Sequence, residues 1–565
     1  MKRWLPVVQG RWRTATLGAL VAGTLFALLL CWVSVSRPYA NTPDIRSDGV
    51  GYHIWVHGLA HGDLRFCDYR KLLDPVNAIS SEDVDLQRCR VKYPPGVALL
   101  QLPFSLPWLA VDPVATGFSV GENRVVLWGG AAMLLAIAAM MYSVLRRRGV
   151  PVRLALAAVT LVTFGAGLFH YGTFDASFSH IYSAFGVALL LWLGLGHALS
   201  PGRLCALTLV FGWLYLVRQT NGALTLAVAY MLFRGDPAGR QWRIWAGWGL
   251  GTAMALALQV AYNCYASGAL GVNSYGSESF PRFAAHALDV LFSYERGVYT
   301  YYPLLLLVTW FALRTWRAPA SQALLGVGAI FALLYGSWHS WYLGAGFGHR
   351  GFVELAPLAM VVLADGLAAA GTGMRRLWLA LATLCCALTV IAMCAYWRGD
   401  LPISGATRGD YWWSVSPSSL LARHRQYTPD EVRNIVLAYE GATRQGDGSW
   451  EVSLRVSNRN GATGLNTHGR LYAPLALSWR VVPDPADGSV GWNPRAALPA
   501  LAPGNEGQLR VVLGADMAPG DNRWLQFSVV QEGVFWAHVV GVPPLTVGWP
   551  APVPGQLINT KGNER

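Results

Sequence analysis

Apolar residues in this chain fall in blocks of membrane-crossing length, separated by short polar or arginine-bearing segments. The first block is about 17–35. A large polar loop follows at about 36–120. Further blocks lie at about 123–145, 153–170 and 180–199. Two shorter pieces, 204–217 and 222–233, precede blocks near 244–266, 298–313, 321–337, 353–370 and 377–397. Counting the short pair as two crossings predicts about 11 transmembrane helices. The alternative is a single re-entrant hairpin at 204–233. A cleaved signal peptide is the alternative for the first block. Its length and the poor small-residue site at Pro38-Tyr39-Ala40 speak against that. Within the first loop, Tyr52 to Ala60 reads as an amphipathic helix lying on the membrane surface.

The apolar blocks stop at about residue 400. Residues 400–430 read as a linker, with Tyr411-Trp412-Trp413 at the membrane interface. From Ile435 to Val547 the period changes to short alternating segments such as Trp450-Glu451-Val452-Ser453-Leu454-Arg455-Val456. Asn460-Gly461, Asp487-Gly488 and Pro519-Gly520 mark turns between them. This predicts an immunoglobulin-like β-sandwich over 431–550 with roughly seven strands, and a flexible tail at 551–565. The membrane part is then 1–399.

Composition agrees with the pattern. The chain has 565 residues, of which 53% are hydrophobic and 13% charged. A soluble protein carries about 25% charged residues. The expected fold class is a polytopic α-helical membrane protein followed by an extracytoplasmic all-β sandwich.

The net charge of +13 reflects topology and not a nucleic-acid partner. Arg146, Arg147, Arg148 and Arg153 cluster in one loop, and Arg203 lies in another. Arg234, Arg240 and Arg243, Arg314 with Arg317, and Arg375 with Arg376 complete the set. The positive-inside rule places these loops, and the N-terminus with Lys2, Arg3, Arg11 and Arg13, in the cytoplasm. The first loop and the sandwich are then outside. A re-entrant hairpin at 204–233 would flip every later loop and break the rule. Lysine occurs only at Lys2, Lys71, Lys92 and Lys561. Together with abundant Ala and Gly, this points to a GC-rich bacterial genome and an inner (plasma) membrane. Cys31, Cys205, Cys264, Cys385, Cys386 and Cys394 fall within predicted spans. Cys67 and Cys89 share the aqueous outer loop and are the disulfide candidates.

Several polar residues fall on the outer side. Asp48 follows the first span, and a carboxylate there is placed to take a proton from an acceptor hydroxyl at the bilayer surface; the alternative is a solvated loop aspartate. Arg218 sits between the two short apolar pieces, where a broken helix lining a cavity accommodates an arginine. Its planar fork suits a lipid phosphate; the alternative is a snorkelling side chain. His349 and Arg350 end the glycine-rich run Gly344-Ala345-Gly346-Phe347-Gly348, beside aromatics that also fit an interfacial belt. Tyr171 to His180 and Ser293 to Gly297 add outer polar groups. Asp48, Lys92, His180, Arg218, Arg296 and Arg350 are expected around one outer cavity. Asp44 and Asp48 are a thin cation site, and no metal constellation is assigned.

These motifs resemble the bacterial GT-C superfamily of integral-membrane glycosyltransferases over about 36–370. They are Ser47-Asp48-Gly49 with Gly51-Tyr52, Lys92-Tyr93-Pro94-Pro95-Gly96, Ser179-His180, Arg218-Gln219-Thr220-Asn221, Glu295-Arg296-Gly297 before Pro303, and Phe347-Gly348-His349-Arg350. Residues 474–479, 501–504 and 530–536 resemble a β-sandwich of bacterial glycan-assembly proteins. The resemblance implies an inverting transfer of a sugar from a polyprenyl-phosphate donor to an extracytoplasmic glycan, lipid or protein acceptor. It implies Asp48 as base. Arg218, Arg350, Arg296 and Lys92 are the donor-phosphate candidates, and His180, Tyr93, Asn221 and His349 the substrate-binding ones. The acidic pair that holds a metal in some members is not clearly reproduced, so a divalent cation stays open as cofactor. Tyr411-Trp412-Trp413-Ser414 is not followed by the acid expected of an oligosaccharyltransferase. The alternatives are a polyprenyl-linked glycan or lipid flippase, which predicts internal repeats not seen here, and a non-catalytic glycan-assembly subunit. In the sandwich, Trp479, Trp492 and Trp536 are candidate sugar-stacking faces, with core packing as the alternative.

Overall fold

A computed structural model of the protein describes residues 45–83, 87–111, 118–196, 199–234, 242–268, 270, 275, 278–397, 401–402, 405–417, 426–446, 448–466, 474–487, 490–492, 494–514, 517, 519–520, 523–532 and 534–549. The expected first span, Asp44 and the expected C-terminal tail lie outside the described residues. Two compact units are present, one holding residues 45–396 and the other the residues from 416 onward.

The first unit is helical. The first loop is built rather than open. It holds α1 (Asp48–His61), an antiparallel hairpin of β1 (Ile79–Asp83) and β2 (Arg88–Val91), and α2 (Gly96–Val111). The helices that follow are α3 (Val120–Arg147), α4 (Val152–Gly165), α5 (Leu168–Thr173), α6 (Ser179–Gly194), α7 (Pro201–Val217), α8 (Asn221–Arg234) and α9 (Trp242–Ser267). After them come α10 (Ala287–Phe292), α11 (Pro303–Arg314), α12 (Pro319–Ser337), α13 (Ala356–Ala369) and α14 (Thr372–Trp397). Among the described residues, five segments are long and apolar enough to cross a membrane: Gly121–Arg147, Trp242–Ser267, Pro319–Ser337, Arg350–Ala369 and Thr372–Trp397. Shorter apolar helices stand among them. The protein is a multi-pass helical membrane protein.

Burial separates inner from outer helices. The window around α13 is 83% buried, whereas that of α14 is 22%. Leu250, Met254 and Leu258 on α9, and Leu377, Leu381 and Leu384 on α14, are exposed apolar rows. Lipid tails solvate such rows without cost, whereas water does not. Along several helices the arginine clusters and the polar motifs occupy opposite ends. Arg203 is at the start of α7 and Arg218 follows its end; α12 starts after Arg314 and Arg317 and ends at Ser337. Arg147 donates to the Trp192 carbonyl near the end of α6, and Arg148 pairs with Asp365 on α13 at 2.7 Å. The basic ends are thus gathered on one side.

Two features of the first loop correct the sequence reading. α1 is not a surface helix: Gly49 to Gly58 are all buried within the protein. The same loop contains α2, an apolar helix that carries Pro103 and Pro107 and exposes Leu99, Phe104, Leu106 and Trp108.

Cys67 and Cys89 form a disulfide that ties β2 to the segment after α1. Both are therefore expected to resist a membrane-impermeant maleimide until a reductant is added. Labelling of both without reductant contradicts the bond.

Among the described residues the second unit holds two antiparallel sheets. One is β10 (Leu545–Trp549), β8 (Arg523–Gln531), β5 (Leu475–Val482) and β6 (Ala496–Ala497), with β9 (Phe535–Trp536) also paired to β8. The other is β3 (Ile435–Arg444), β4 (Trp450–Asn458) and β7 (Glu506–Leu513). Val452, Leu454 and Val456 alternate into the core opposite Leu475, Leu477, Trp479, Leu525, Phe527 and Val529. Trp479 therefore packs in the core and offers no sugar-stacking face. Trp492 and Trp536 stay half-exposed, their ring centroids 6.1 Å apart.

Candidate functional site

The site grows from three chain breaks. α7 ends at Val217, and Arg218 takes an extended backbone before α8 restarts at Asn221. The Arg218 side chain is thereby released from a helical ridge. Gly96, at the start of α2, packs directly on this break; a Cβ there would lie 2.3 Å from the Val217 nitrogen. The glycine-rich turn after α12 delivers Arg350 to the start of the 3-10 turn Arg350–Leu355. Asp48 sits in the first turn of α1.

The start of α1 is held in three ways. The Ile45 N–H donates to Asn123 Oδ1 at 2.8 Å. Arg46 pairs with Asp175, and His170 Nε2 also bonds Asp175, at 2.8 Å. A Cβ on Gly49 would lie 2.2 Å from Ser177 Oγ, so only glycine lets the helix sit against this segment. Burial alone would raise the Asp175 carboxyl, but Arg46 and His170 outweigh it and hold it well below the usual carboxylate range. The Asp175 anchor is thus fully present above the ordinary aspartate value near about 4, and is lost only as pH falls through its depressed value.

These elements enclose a cavity of about 530 Å³. Asp48, Lys92, Tyr93, His180, Arg218 and Arg350 line it, with Tyr275, Glu278, Tyr335 and Trp338. Arg296, Asn221 and His349 do not line it. Arg296 is fully buried and donates to its neighbour's carbonyl, Glu295 O, at 2.8 Å. Asn221 Nδ2 donates to Ser183 Oγ and the Leu214 carbonyl at 2.8 and 2.9 Å, closing the break between α7 and α8. His349 Nε2 donates to the Trp341 carbonyl at 3.0 Å, and burial pushes its imidazole down to about 3. That neutral ring braces the turn before Arg350.

Each cationic group of the cavity holds a carboxylate. Arg350 Nη2 lies 2.7 Å from Asp48 Oδ2, Lys92 Nζ 2.6 Å from Glu278 Oε1, and Arg218 Nη1 3.3 Å from Glu354 Oε1. Glu354 also bonds His180 Nδ1 at 3.0 Å. Tyr93 Oη donates to Asp48 Oδ1 at 3.0 Å, and burial raises that phenol well above its ordinary value, so it remains a donor. Arg350 has two guanidinium nitrogens, Nε and Nη1, buried without a hydrogen-bond partner among the described residues. Its guanidinium stacks over Phe178, 5.1 Å from the ring centroid.

Sequence reasoning missed Glu278 and Glu354. Neither belongs to a local motif, and their partners are 186 and 136 residues away. It also missed a second, apolar groove lined by Phe280, Phe283, Ile330, Leu333, Leu334 and Ser337. Phe280 and Leu334 line the polar cavity too, so the two are contiguous.

No protein-family model and no curated protein sequence matches the chain. Among solved structures it is similar to ArnT from Cupriavidus metallidurans in the apo state, at 15% identity and a TM-score of 0.42, over 68% of this chain and 65% of that one. It is also similar to the archaeal oligosaccharyltransferase AglB from Archaeoglobus fulgidus in complex with an inhibitory peptide and a dolichol-phosphate. There the identity is 14% and the TM-score 0.39, over 69% of this chain and 56% of that one. The chain spans less than two thirds of the length of either.

Proposed function

We propose that the protein is an inverting membrane glycosyltransferase that moves a sugar from a polyprenyl-phosphate donor to an extracytoplasmic acceptor. One observation carries this reading: a cavity with Lys92, Arg218 and Arg350 opens without a break into an apolar groove. That pairing fits an amphiphile with an anionic head and a hydrocarbon tail. Phosphate is suited to the forked donors of Arg218 and Arg350, and the isoprenoid chain to the groove at Phe280 and Leu333.

In the proposed reaction the acceptor oxygen attacks the anomeric carbon opposite the departing phosphate. The carbon–oxygen bond to phosphate breaks as the new glycosidic bond forms, and the configuration inverts. The acceptor proton passes to Asp48. The lipid phosphate leaves as an anion, and preorganised cations lower the cost of its charge. The ion pair between Arg350 and Asp48 gives this step an order. A donor phosphate competes for the Arg350 guanidinium, and Asp48 Oδ2 is then free to accept the hydroxyl. Lys92 is shared in the same way with Glu278. Arg296, Asn221 and His349 act by holding the backbone around the cavity.

The gathering of arginine-bearing helix ends away from the cavity supports a cytoplasmic N-terminus and an outer active site. The same rule puts the sandwich outside, in the bacterial periplasm or its equivalent. There it serves as an acceptor-binding module that raises local acceptor concentration. The half-exposed Trp492 and Trp536 are its sugar-stacking candidates. Removing residues 431–565 is expected to raise the apparent acceptor KM several-fold and to spare transfer to a small soluble acceptor. Steady-state kinetics on inserted, correctly folded core protein checks this; an unchanged KM for the native acceptor removes the role.

A further inference from the structure

We propose that His53, His57 and Glu122 hold a divalent metal of the zinc class, which ties the helix carrying Asp48 to the membrane span α3. The site stands apart from the transfer reaction and does not depend on the function proposed above. His53 and His57 are four residues apart on α1, so their side chains share one face. Both Nε2 atoms converge on one oxygen, Glu122 Oε1, at 3.2 and 2.6 Å. All three residues are fully buried.

Three details favour a metal over simple hydrogen bonding. First, a buried carboxylate needs a compensating cation, and the ion-pair partners of Glu122 among the described residues are these two histidines. Second, His53 Nδ1 meets Gln101 Oε1 at 2.8 Å, and Gln101 Nε2 donates to Tyr182 Oη at 2.7 Å. With a ring proton on Nδ1 donating to Gln101 Oε1, Nε2 is the atom turned toward Glu122 Oε1, in the orientation of a metal ligand. A bound cation or a second ring proton satisfies that contact. A histidine whose second ring nitrogen donates outward is the usual arrangement around a bound metal. Third, the remaining Glu122 oxygen is already used, accepting the Ser119 N–H at 2.9 Å in a helix capping box. Oε1 is left for the shared ligand.

The distances fit the ion. Zinc bonds of about 2.0–2.1 Å hold tetrahedral ligand atoms about 3.3 Å apart. The three ligand atoms here lie within 4.8 Å of one another, so side-chain shifts of under about 1 Å admit the metal. The N₂O donor set suits zinc and its neighbours rather than calcium or magnesium. A fourth position falls to water. Phe118 packs on both imidazoles, with ring centroids 4.9 and 5.6 Å away, and shields the site. His53 and His57 lie about 7.5 and 13.5 Å along the helix axis from Asp48. The ion would therefore position the carboxylate and not touch the reacting atoms.

The test uses the full-length protein in detergent, stripped with a chelator and reloaded with Zn²⁺. Mass spectrometry of bound metal is expected to give about one zinc per chain, and zinc to raise the Tm. His57→Ala and Glu122→Gln are expected to lose both effects. Should either variant fail to fold, Co²⁺ loading of the wild type decides, since a four-coordinate ion gives visible ligand-field bands. Folded wild type that binds neither Zn²⁺ nor Co²⁺, or variants that bind zinc as the wild type does, would overturn the site and leave a metal-free hydrogen-bonded cluster.

Discussion

Asp48→Asn is expected to lower sugar transfer by about a hundredfold or more, the usual weight of a general base, and to leave folding and insertion intact. The substitution keeps the size of the side chain. It can still accept from Tyr93, so the start of α1 retains one of its contacts. What it loses is the capacity to take the acceptor proton and the ion pair with Arg350. A transfer assay in membranes or nanodiscs with lipid-phosphate sugar measures the effect. The anchors at Ile45, Arg46 and Gly49 are untouched, while the buried Arg350 loses its carboxylate, so the variant should still fold and insert, with a Tm somewhat below that of the wild type. Near-normal turnover in the variant would remove Asp48 from the chemistry.

Arg218→Ala is expected to weaken donor binding by about tenfold or more, because charge-assisted hydrogen bonds are each worth about 1.5–3 kcal/mol. Arg218→Lys should fall between that variant and the wild type, since lysine keeps the charge and loses the fork. The alanine variant also strands Glu354, whose Oε2 already lacks a partner among the described residues and whose Oε1 would there keep only His180. A loss of stability would therefore accompany the loss of affinity. Binding of a fluorescent polyprenyl phosphate, with Tm read on the same samples, separates the two effects. Equal donor affinity in wild type and both variants would make Arg218 a structural partner of Glu354 only.

The helical frame was legible because apolar length is a strong signal. The predicted blocks 180–199, 204–217, 222–233 and 244–266 match α6, α7, α8 and α9 within a few residues. The short pair at 204–233 forms two helices hinged at Arg218, as its interrupted pattern implied. α2 was missed because Pro103 and Pro107 argue against a helix interior, yet the segment folds as one. α1 was read as a surface helix, and packing on α2, Phe66 and Tyr93 buries it instead. Sheet elements as short as β6 and β9, two residues each, carry no periodicity to read.

The site was legible in its cations and in Asp48, and not in the carboxylates Glu278 and Glu354. His180, Arg218 and Arg350 stood out as polar residues at or beside apolar block ends, and Asp48 and Lys92 as charged residues of the first outer loop; all five line one cavity. Arg296 carried the same signal and lies elsewhere, since a block end says nothing about which way a side chain turns. Glu278 and Glu354 were invisible because their meaning comes from contacts far apart in the chain. The His53 and His57 spacing was present in the sequence, but its third member, Glu122, is 65 residues from His57.

The most direct test of the proposed function is mass spectrometry of cell-envelope glycans from the source organism. Three strains are compared: one lacking this chain, one complemented with wild type, and one complemented with Asp48→Asn. The account predicts that the deletion removes one fixed sugar mass from a surface glycan. It predicts that wild type restores it and that Asp48→Asn, present in the membrane at equal level, does not. Identical glycans in all three strains, or full restoration by Asp48→Asn, would contradict it.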